Sequence, residues 1–322
     1  MKVVIAGGTG FLGQPLSQAL ADDGHDVIVL TRTSTLREPQ GRPEQRRRAT
    51  GSRRAAATGT ARSIEWTPNG ESGPWASAID GAGAVVNLAG ESIAAKRWTA
   101  AQKQKILDTR VQATRSLVSA IRGAANPPPV FVSGSAVGYY GPLGDEVASE
   151  DTPPGSDFLA RVCVAWEEEA RRAAAPRTRV ACIRTGVVLE KDGGALPQML
   201  PPFKFGAGGP VGSGRQYWAW IHRQDWIDLV RWAIQTPEAG GAINATAPHP
   251  VTNADFARAL GRAMHRPAFM PAPAFALRLM LGEMADALLL SGQRAVPRRA
   301  ERGGFTFTYP RVDQALQAIF RT

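Results

Sequence analysis

Val3-Val4-Ile5-Ala6-Gly7-Gly8-Thr9-Gly10-Phe11-Leu12-Gly13 carries an apolar run straight into a glycine-rich turn, and a helical pattern over Leu12–Asp23 follows without a gap. A continuously apolar strand is covered on both faces, and strand, turn and helix in that order open a βαβ unit. Each glycine has a task. Gly7 lets the chain turn sharply, Gly10 lets backbone approach a ligand with no Cβ in the way, and Gly13 lets the helix pack closely on the strand. The helix start aims free N–H groups and the positive end of its dipole at the turn, which suits a pyrophosphate. Gly7, Gly10, Phe11, Leu12 and Gly13 are therefore expected to hold a dinucleotide.

The same texture continues downstream. Strand-like runs at Lys2–Ala6, Asp26–Leu30, Ala84–Leu88, Val130–Ser133 and Arg179–Arg184, with a weaker one at Ser63–Trp66, alternate with helical patterns at Leu12–Asp23, Ala100–Gly123 and Asp157–Ala174. Such alternation predicts an α/β fold of the Rossmann type, a doubly wound parallel sheet with right-handed crossovers. From Thr185 onward the chain turns Gly/Pro-rich, GGALPQMLPPFKFGAGGPVGSGRQ, and helical patterns follow at Asp225–Gln235, Asn253–His265, Ala274–Leu290 and Val312–Phe320. The expected division is a nucleotide-binding domain over 1–184 and a smaller C-terminal substrate lobe with a helical end over 185–322.

At the end of the second strand pattern, a carboxylate would bond the adenosine ribose and repel a 2′-phosphate. Here the sequence reads Leu30-Thr31-Arg32-Thr33. Arg32 can pair with a 2′-phosphate, and the Thr31 and Thr33 hydroxyls can support it, so the expected cofactor is NADP.

The chain has 322 residues, 43% of them apolar, and a net charge of +10. That is enough for a substantial core. A net +6 of the charge sits between Arg37 and Arg62, where eight Arg face two Glu. This stretch has almost no large apolar side chains and is expected to be a mobile surface loop. No aromatic residues are interleaved with its arginines, so nucleic acid is not an expected partner. Cys163 and Cys182 show no metal-ligand spacing and no disulfide framework, which suggests buried thiols and no metal. The most apolar later segment, Ala272 to Leu290, is interrupted by Arg278, Glu283 and Asp286 and is too polar to span a bilayer. A cytoplasmic protein with no membrane partner is the expectation. Leu and Met in the Ala274–Leu290 pattern suit either a homodimer contact or packing of the lobe.

Further motifs carry a family resemblance. The glycine turn, Asn87-Leu88-Ala89-Gly90-Glu91 and Ser133-Gly134-Ser135-Ala136-Val137-Gly138-Tyr139-Tyr140-Gly141 together resemble the extended short-chain dehydrogenase/reductases, which include sugar-nucleotide epimerases and dehydratases. RWTAAQKQKILDTRVQATRSLV, DFLARVCVAWEEEA, GPVGSGRQYWAWIHRQD and LGEMADALLLSGQRAVPRR resemble an atypical subgroup, the epimerase family proteins with a C-terminal domain of unknown function. The resemblance implies that Leu88, Ala89 and Gly90 line the ribose side of the cofactor, that Ser133 belongs to the cofactor site and that the turn after it lies beside the nicotinamide. It also implies that Ser135 bonds the reacting oxygen and that the stretch from Arg184 closes over the carboxamide.

One departure limits the chemistry. Phe158 and Val162 stand where that resemblance would put a catalytic Tyr and Lys, and neither side chain can transfer a proton. Tyr139 and Tyr140 become the candidate proton carriers, with Ser135 beside them. Lys103 and Arg110 lie seven residues apart on one helix face and could hold an anionic substrate; a solvated face reads equally well. Trp218, Trp220 and His222 alternate along an extended segment and could recognise a ring-shaped ligand, while Asp225 is expected to cap the next helix. Two functions stay open: an NADP-dependent oxidoreductase or epimerase acting on a small substrate, sugar-like or anionic, and a catalytically silent NADP-binding sensor or regulator. If Arg32 reads the 2′-phosphate, Arg32→Ala weakens NADPH binding by about 1.5–3 kcal/mol and leaves NADH almost untouched. Titrating both cofactors into both proteins checks this, and equal losses overturn the assignment.

Overall fold

The computed structural model describes residues 1–32 and 61–321. Thr33 and the Arg-rich stretch up to residue 60 lie outside the described residues. The first half runs β1 (Lys2–Ala6), α1 (Gly13–Asp22), β2 (Asp26–Thr31), β3 (Ala61–Glu65), β4 (Ala84–Asn87), α2 (Ala100–Gly123), β5 (Val130–Ala136), β6 (Val147–Ala148), α3 (Phe158–Arg171) and β7 (Arg179–Thr185). Then come β8 (Val187–Leu189), α4 (Leu196–Lys204), β9 (Tyr217–Trp218), β10 (Trp220–His222), α5 (Arg223–Gln235), β11 (Gly241–Ala245) and β12 (Val251–Thr252). The chain closes with α6 (Asn253–Met264), α7 (Ala274–Leu281), α8 (Glu283–Ala285), β13 (Arg294–Ala295), α9 (Arg298–Arg302) and α10 (Val312–Arg321).

Seven strands form one sheet in the order β11-β7-β5-β4-β1-β2-β3, and every pairing in it is parallel. The order reverses between β1 and β4. At such a switch point the two flanking loops part and leave a crevice at the carboxyl ends of the strands. Val3, Ile5, Val86, Val132 and Ile183 point to one face, where α1 and α5 supply Leu16, Leu20, Trp226, Leu229 and Val230. Val4, Ile28, Val85 and Phe131 point to the other, against Leu117 and Ile121 of α2. Burial on both faces explains why these strands read as unbroken apolar runs.

Three elements differ from the sequence expectation. β11 pairs with β7 in register Gly241↔Ala181 to Ala245↔Thr185, so the chain returns to the sheet after leaving it. A division at residue 184 therefore cuts the sheet, because α5 and β11 form a further crossover unit. α4 forms inside the stretch expected to be loop, although it contains Pro201 and Pro202. Leu196, Leu200 and Phe203 are the reason: they face the lobe core with Trp218, Trp220, Phe256, Leu260 and Leu316, and that burial outweighs the prolines. The expected helix over Ala274–Leu290 breaks at Gly282, whose φ of +62 ends α7. α7 buries none of its residues and leaves Phe275, Leu279 and Met280 largely exposed. Among the described residues, no helix is long and apolar enough to cross a membrane.

Asp225 does not cap α5. It is buried in the first turn, and its carboxylate accepts the backbone N–H groups of Thr308 at 2.8 Å and Tyr309 at 2.9 Å. That clamp fastens the segment leading to α10 onto α5. Removing it strands two N–H groups, so Asp225→Ala is expected to cost about 1.5–3 kcal/mol in urea unfolding, the range for hydrogen bonds to a charged group. A residue acting only on its own helix dipole would cost less than about 1 kcal/mol.

Candidate active site at the switch point

At the turn after β1, three backbone segments meet. Gly7 has φ +80, and a Cβ there would lie 2.7 Å from the Leu88 carbonyl carbon and 2.9 Å from the Ala89 nitrogen. A Cβ at Gly13 would lie 2.2 Å from the Gly7 oxygen. Only glycine fits either place. Gly10 N–H donates to the Gly7 carbonyl at 3.1 Å and closes the turn. Leu12 stands at the N-cap of α1 with no side-chain acceptor, and the first turn carries no acidic residue. In this first turn Gln14 N–H is taken by the Gly10 carbonyl at 3.0 Å and Pro15 has none; the positive end of the helix and its remaining N–H groups have no acidic side chain of their own, which fits a pyrophosphate. Phe11 closes the other side: Gly193 and Gly194 pack on its ring, and the Arg223 guanidinium lies 5.4 Å from its centroid. Arg32 is exposed immediately after β2.

The loop after β4 is set by a residue that sequence reasoning missed. Asn87 is fully buried; its Nδ2 donates to Thr114 Oγ1 at 2.8 Å and its Oδ1 accepts from Ala89 N–H at 3.1 Å. One polar residue ending an otherwise apolar strand was the available signal. Leu88 and Ala89 are half-buried beside Gly7 and Gly90 is exposed, so all three border the crevice. Ser133 is fully buried and its hydroxyl turns back to the Gly134 carbonyl.

At the carboxyl end of β5 the structure builds a buried ionic network. Ser135 Oγ donates to Glu167 Oε1 at 2.7 Å. Arg184 grips the same carboxylate with Nε at 2.7 Å and Nη2 at 3.0 Å, and its Nη1 donates to Tyr140 Oη at 3.0 Å. Tyr140 Oη donates to Asn244 Oδ1 at 2.6 Å. Glu167 is 0% and Arg184 2% exposed, so the pair is held away from water. A triple-Glu run such as Glu167-Glu168-Glu169 looks like a solvated helix face, which is why this member was not legible.

The network reassigns several expected residues. Arg184 spends its guanidinium on Glu167 and Tyr140, so its side chain is not directed at a carboxamide. Tyr140 is enclosed, and burial pushes its phenol up to about 12, the opposite of what proton transfer near neutrality requires. Ser135 has given its only proton to Glu167; it can accept from a substrate hydroxyl but cannot donate to a carbonyl. Tyr139 is half-buried, and the Arg184 guanidinium stacks 3.4 Å from its ring centroid.

Trp218, Trp220 and His222 are not a ligand platform. The segment they share runs between the sheet core and the lobe core and is buried on both faces; Trp218 and Trp220 pack with Phe256 in the lobe. His222 caps α5, its Nδ1 accepting from Gln224 N–H at 3.0 Å. The two cations of α2 part company. Lys103 Nζ donates to Glu283 Oε1 at 2.6 Å and lies 5.2 Å from the centroid of Phe158, which itself meets Trp98 edge-on at 5.1 Å. Arg110 reaches the loop after β4 instead, with Nη1 donating to the Glu91 carbonyl at 2.8 Å.

A parallel sheet with a dinucleotide turn at its switch point and a lobe over its carboxyl edge defines a nucleotide-binding α/β protein. The chain belongs to the NAD dependent epimerase/dehydratase family, whose model matches residues 3–246, and residues 272–319 match a domain of unknown function, DUF1731. It is 40% identical over 323 residues to the epimerase family protein SDR39U1 homolog, chloroplastic, of Arabidopsis thaliana, covering 100% of this chain and 87% of that one. With the epimerase family protein YfhF of Bacillus subtilis it shares 36% over 320 residues, 99% of this chain and 98% of the other. The crystal structure of human epimerase family protein SDR39U1 (isoform2) with NADPH superposes with a TM-score of 0.85 at 33% identity, covering 100% of both chains. MoeE5 in complex with UDP-glucose and NAD has the same fold, with a TM-score of 0.73 at 20% identity over 99% of this chain and 97% of that one.

The His222 cap makes stability pH-dependent. Burial holds the imidazole below its ordinary value, with Glu190 opposing and Arg223 reinforcing the shift. The fold thus favours the neutral ring, whose contribution is complete above the unfolded value of about 6.5 and is lost as pH falls from there toward the lower folded value. His222→Asn keeps an acceptor at the cap and cannot titrate. Melting curves at pH 7.5 and 5.5 are expected to separate less in the variant than in the wild type; His25, also shifted downward, is common to both. Equal separations would exclude this role.

Proposed function

We propose that this chain binds NADP along the Gly7–Gly13 turn and works as an oxidoreductase or epimerase on a small, sugar-like or anionic substrate, at a site without the Tyr-x-x-x-Lys pair. The observation that carries the reading is the turn itself: two positions where any Cβ would strike backbone, beside a helix start whose own sequence supplies no cap. Arg32 after β2, with no carboxylate at that strand end, favours the 2′-phosphorylated cofactor, and NADPH in the human relative agrees with it.

When bound, NADP supplies hydride exchange at its nicotinamide ring. The protein's share is binding, orientation and the movement of a proton. Gly7, Gly10 and the start of α1 receive the pyrophosphate, and Arg32 receives the 2′-phosphate. Leu88, Ala89 and Gly90 border the ribose. Phe158, edge-on to Trp98, puts an apolar ring where the resemblance would place the tyrosine. Tyr139 is the proton carrier, because its hydroxyl makes no hydrogen bond to a protein group among the described residues while that of Tyr140 makes two. Arg184, gripped by Glu167, holds a positive charge against the Tyr139 ring and fixes its orientation. Ser135 accepts a bond from the substrate.

A crystal structure of the NADPH complex tests the arrangement, with Tyr139 Oη expected within about 4 Å of the reacting carbon's position over the nicotinamide. Against a panel of sugar nucleotides and small carboxylated carbonyl compounds, Tyr139→Phe is expected to lower kcat by about 10²-fold or more, with the NADPH Kd unchanged. Full activity in Tyr139→Phe removes that tyrosine from the chemistry. A nicotinamide packed wholly against apolar side chains, with no room for a substrate, would point to a sensor instead.

A further inference from the structure

The two cations that share one face of α2 have different electrostatic fates. Lys103 is paired with Glu283. Arg110, two turns further on, makes no ion pair with a carboxylate among the described residues. Its Nη1 donates to the carbonyl oxygens of Glu91 at 2.8 Å and Ile106 at 3.0 Å, and its guanidinium lies 5.1 Å from the centroid of the Trp166 ring. The Glu91 carboxylate acts on it at longer range but is held by Lys105 Nζ at 3.2 Å. Burial pulls the guanidinium below its ordinary value.

Half of this guanidinium has no protein acceptor. Both recorded bonds use Nη1, and neither Nε nor Nη2 bonds to a protein group among the described residues. Nε and Nη2 form the side-on fork that matches two oxygens of one anion, the same edge that Arg184 offers to both oxygens of Glu167. Arg110 thus presents the anion-binding edge of an arginine at a place that burial makes unfavourable for an unmatched charge. Trp166 Nε1, on the ring beneath it, is a further buried donor without an acceptor.

The position of Arg110 separates it from the phosphates of the dinucleotide. The Gly7 turn abuts Leu88 and Ala89, whereas Arg110 packs under Gly90 and bonds to Glu91, further along the same loop. A Cβ at residue 90 would lie 3.0 Å from Arg110 Cγ, so glycine there lets the guanidinium lie close under the exposed loop. The pyrophosphate has the glycine turn and the 2′-phosphate has Arg32. We propose that the Nε/Nη2 edge of Arg110 is the seat of an oxyanion, a carboxylate or phosphate, carried by the substrate. This rests on the reading that NADP occupies the Gly7 turn, and it sharpens that reading's substrate class to anionic.

Malonate and inorganic phosphate serve as probes, titrated calorimetrically into the full chain with and without saturating NADPH. Wild type is expected to bind one probe per chain, Arg110→Gln to lose at least tenfold in probe affinity, and Arg110→Lys, which keeps the charge but lacks the fork, to lose several-fold. NADPH affinity is expected to stay within twofold in both variants. In wild type, the Arg110 Nε–H resonance of isotope-labelled protein shifts on adding the probe, a readout that needs no variant to fold. An unmoved resonance, or unchanged probe affinity in Arg110→Gln, overturns the proposal. So does a parallel loss of NADPH affinity, which would give the guanidinium to the cofactor. If wild type fails to bind NADPH yet binds the probe through Arg110, the cofactor reading falls and the anion seat stands.

Discussion

Everything functional in this chain depends on how closely backbone approaches backbone at Gly7. The Gly7 carbonyl lies where a side chain of residue 13 would be, and its α-carbon faces the peptide between Leu88 and Ala89. Those contacts draw the β1–α1 turn, the start of α1 and the loop after β4 into one crevice, at the place where the strand order reverses. Hydrogen-bonded sheet on both sides makes the approach rigid, so helix N–H groups stay aimed at the crevice without a capping side chain. The loop that follows, pinned by buried Asn87, then passes over Arg110.

A second constraint is the buried Glu167–Arg184 pair. Two charges removed from water are costly, and they persist only where geometry is good and the remaining donors find acceptors. Here both carboxylate oxygens are bonded and Arg184 also reaches Tyr140 and the Glu150 carbonyl. The pair ties α3 to β7, and through Tyr140 and Asn244 it reaches β11, so the floor of the site is stiffened by ionic rather than apolar contacts. The same pair brings a guanidinium flat against Tyr139. Phe158 and Val162, on α3, carry no group that can transfer a proton.

Much of the architecture was legible because local and global preferences agree. Strands buried on both faces leave continuous apolar runs, and the helical pattern over Ala100–Gly123 coincides with α2, whose start is capped by the Thr99 side chain. Legibility failed where tertiary burial overrode local signals. β11 is short and composed largely of glycine and alanine, and it becomes a strand because β7 offers an open edge. α4 carries three prolines, two of them inside the helix, and forms because its other face fills the lobe core. The residues Trp218, Trp220 and His222 alternate as a ligand-facing strand would, but a second layer covers them. Periodicity reports that a face is apolar and not what covers it.

By itself the sequence determined the βαβ start, the parallel α/β class, the three glycines and the arginine at the second strand end, because each follows from short-range sterics or the pattern of one element. Only the tertiary structure decided which polar side chains are spent on the protein and which remain for a ligand. Ser135, Tyr140, Arg184 and Asp225 all look chemical in one dimension, and each is committed to a partner 17 to 104 residues away. Pairings of that kind depend on distances between elements, which no local pattern encodes. Arg110 is the converse case: in sequence it suits an anionic substrate and a solvated face equally well, and only its placement beneath Gly90 shows a partly buried cation with half of its donors uncommitted.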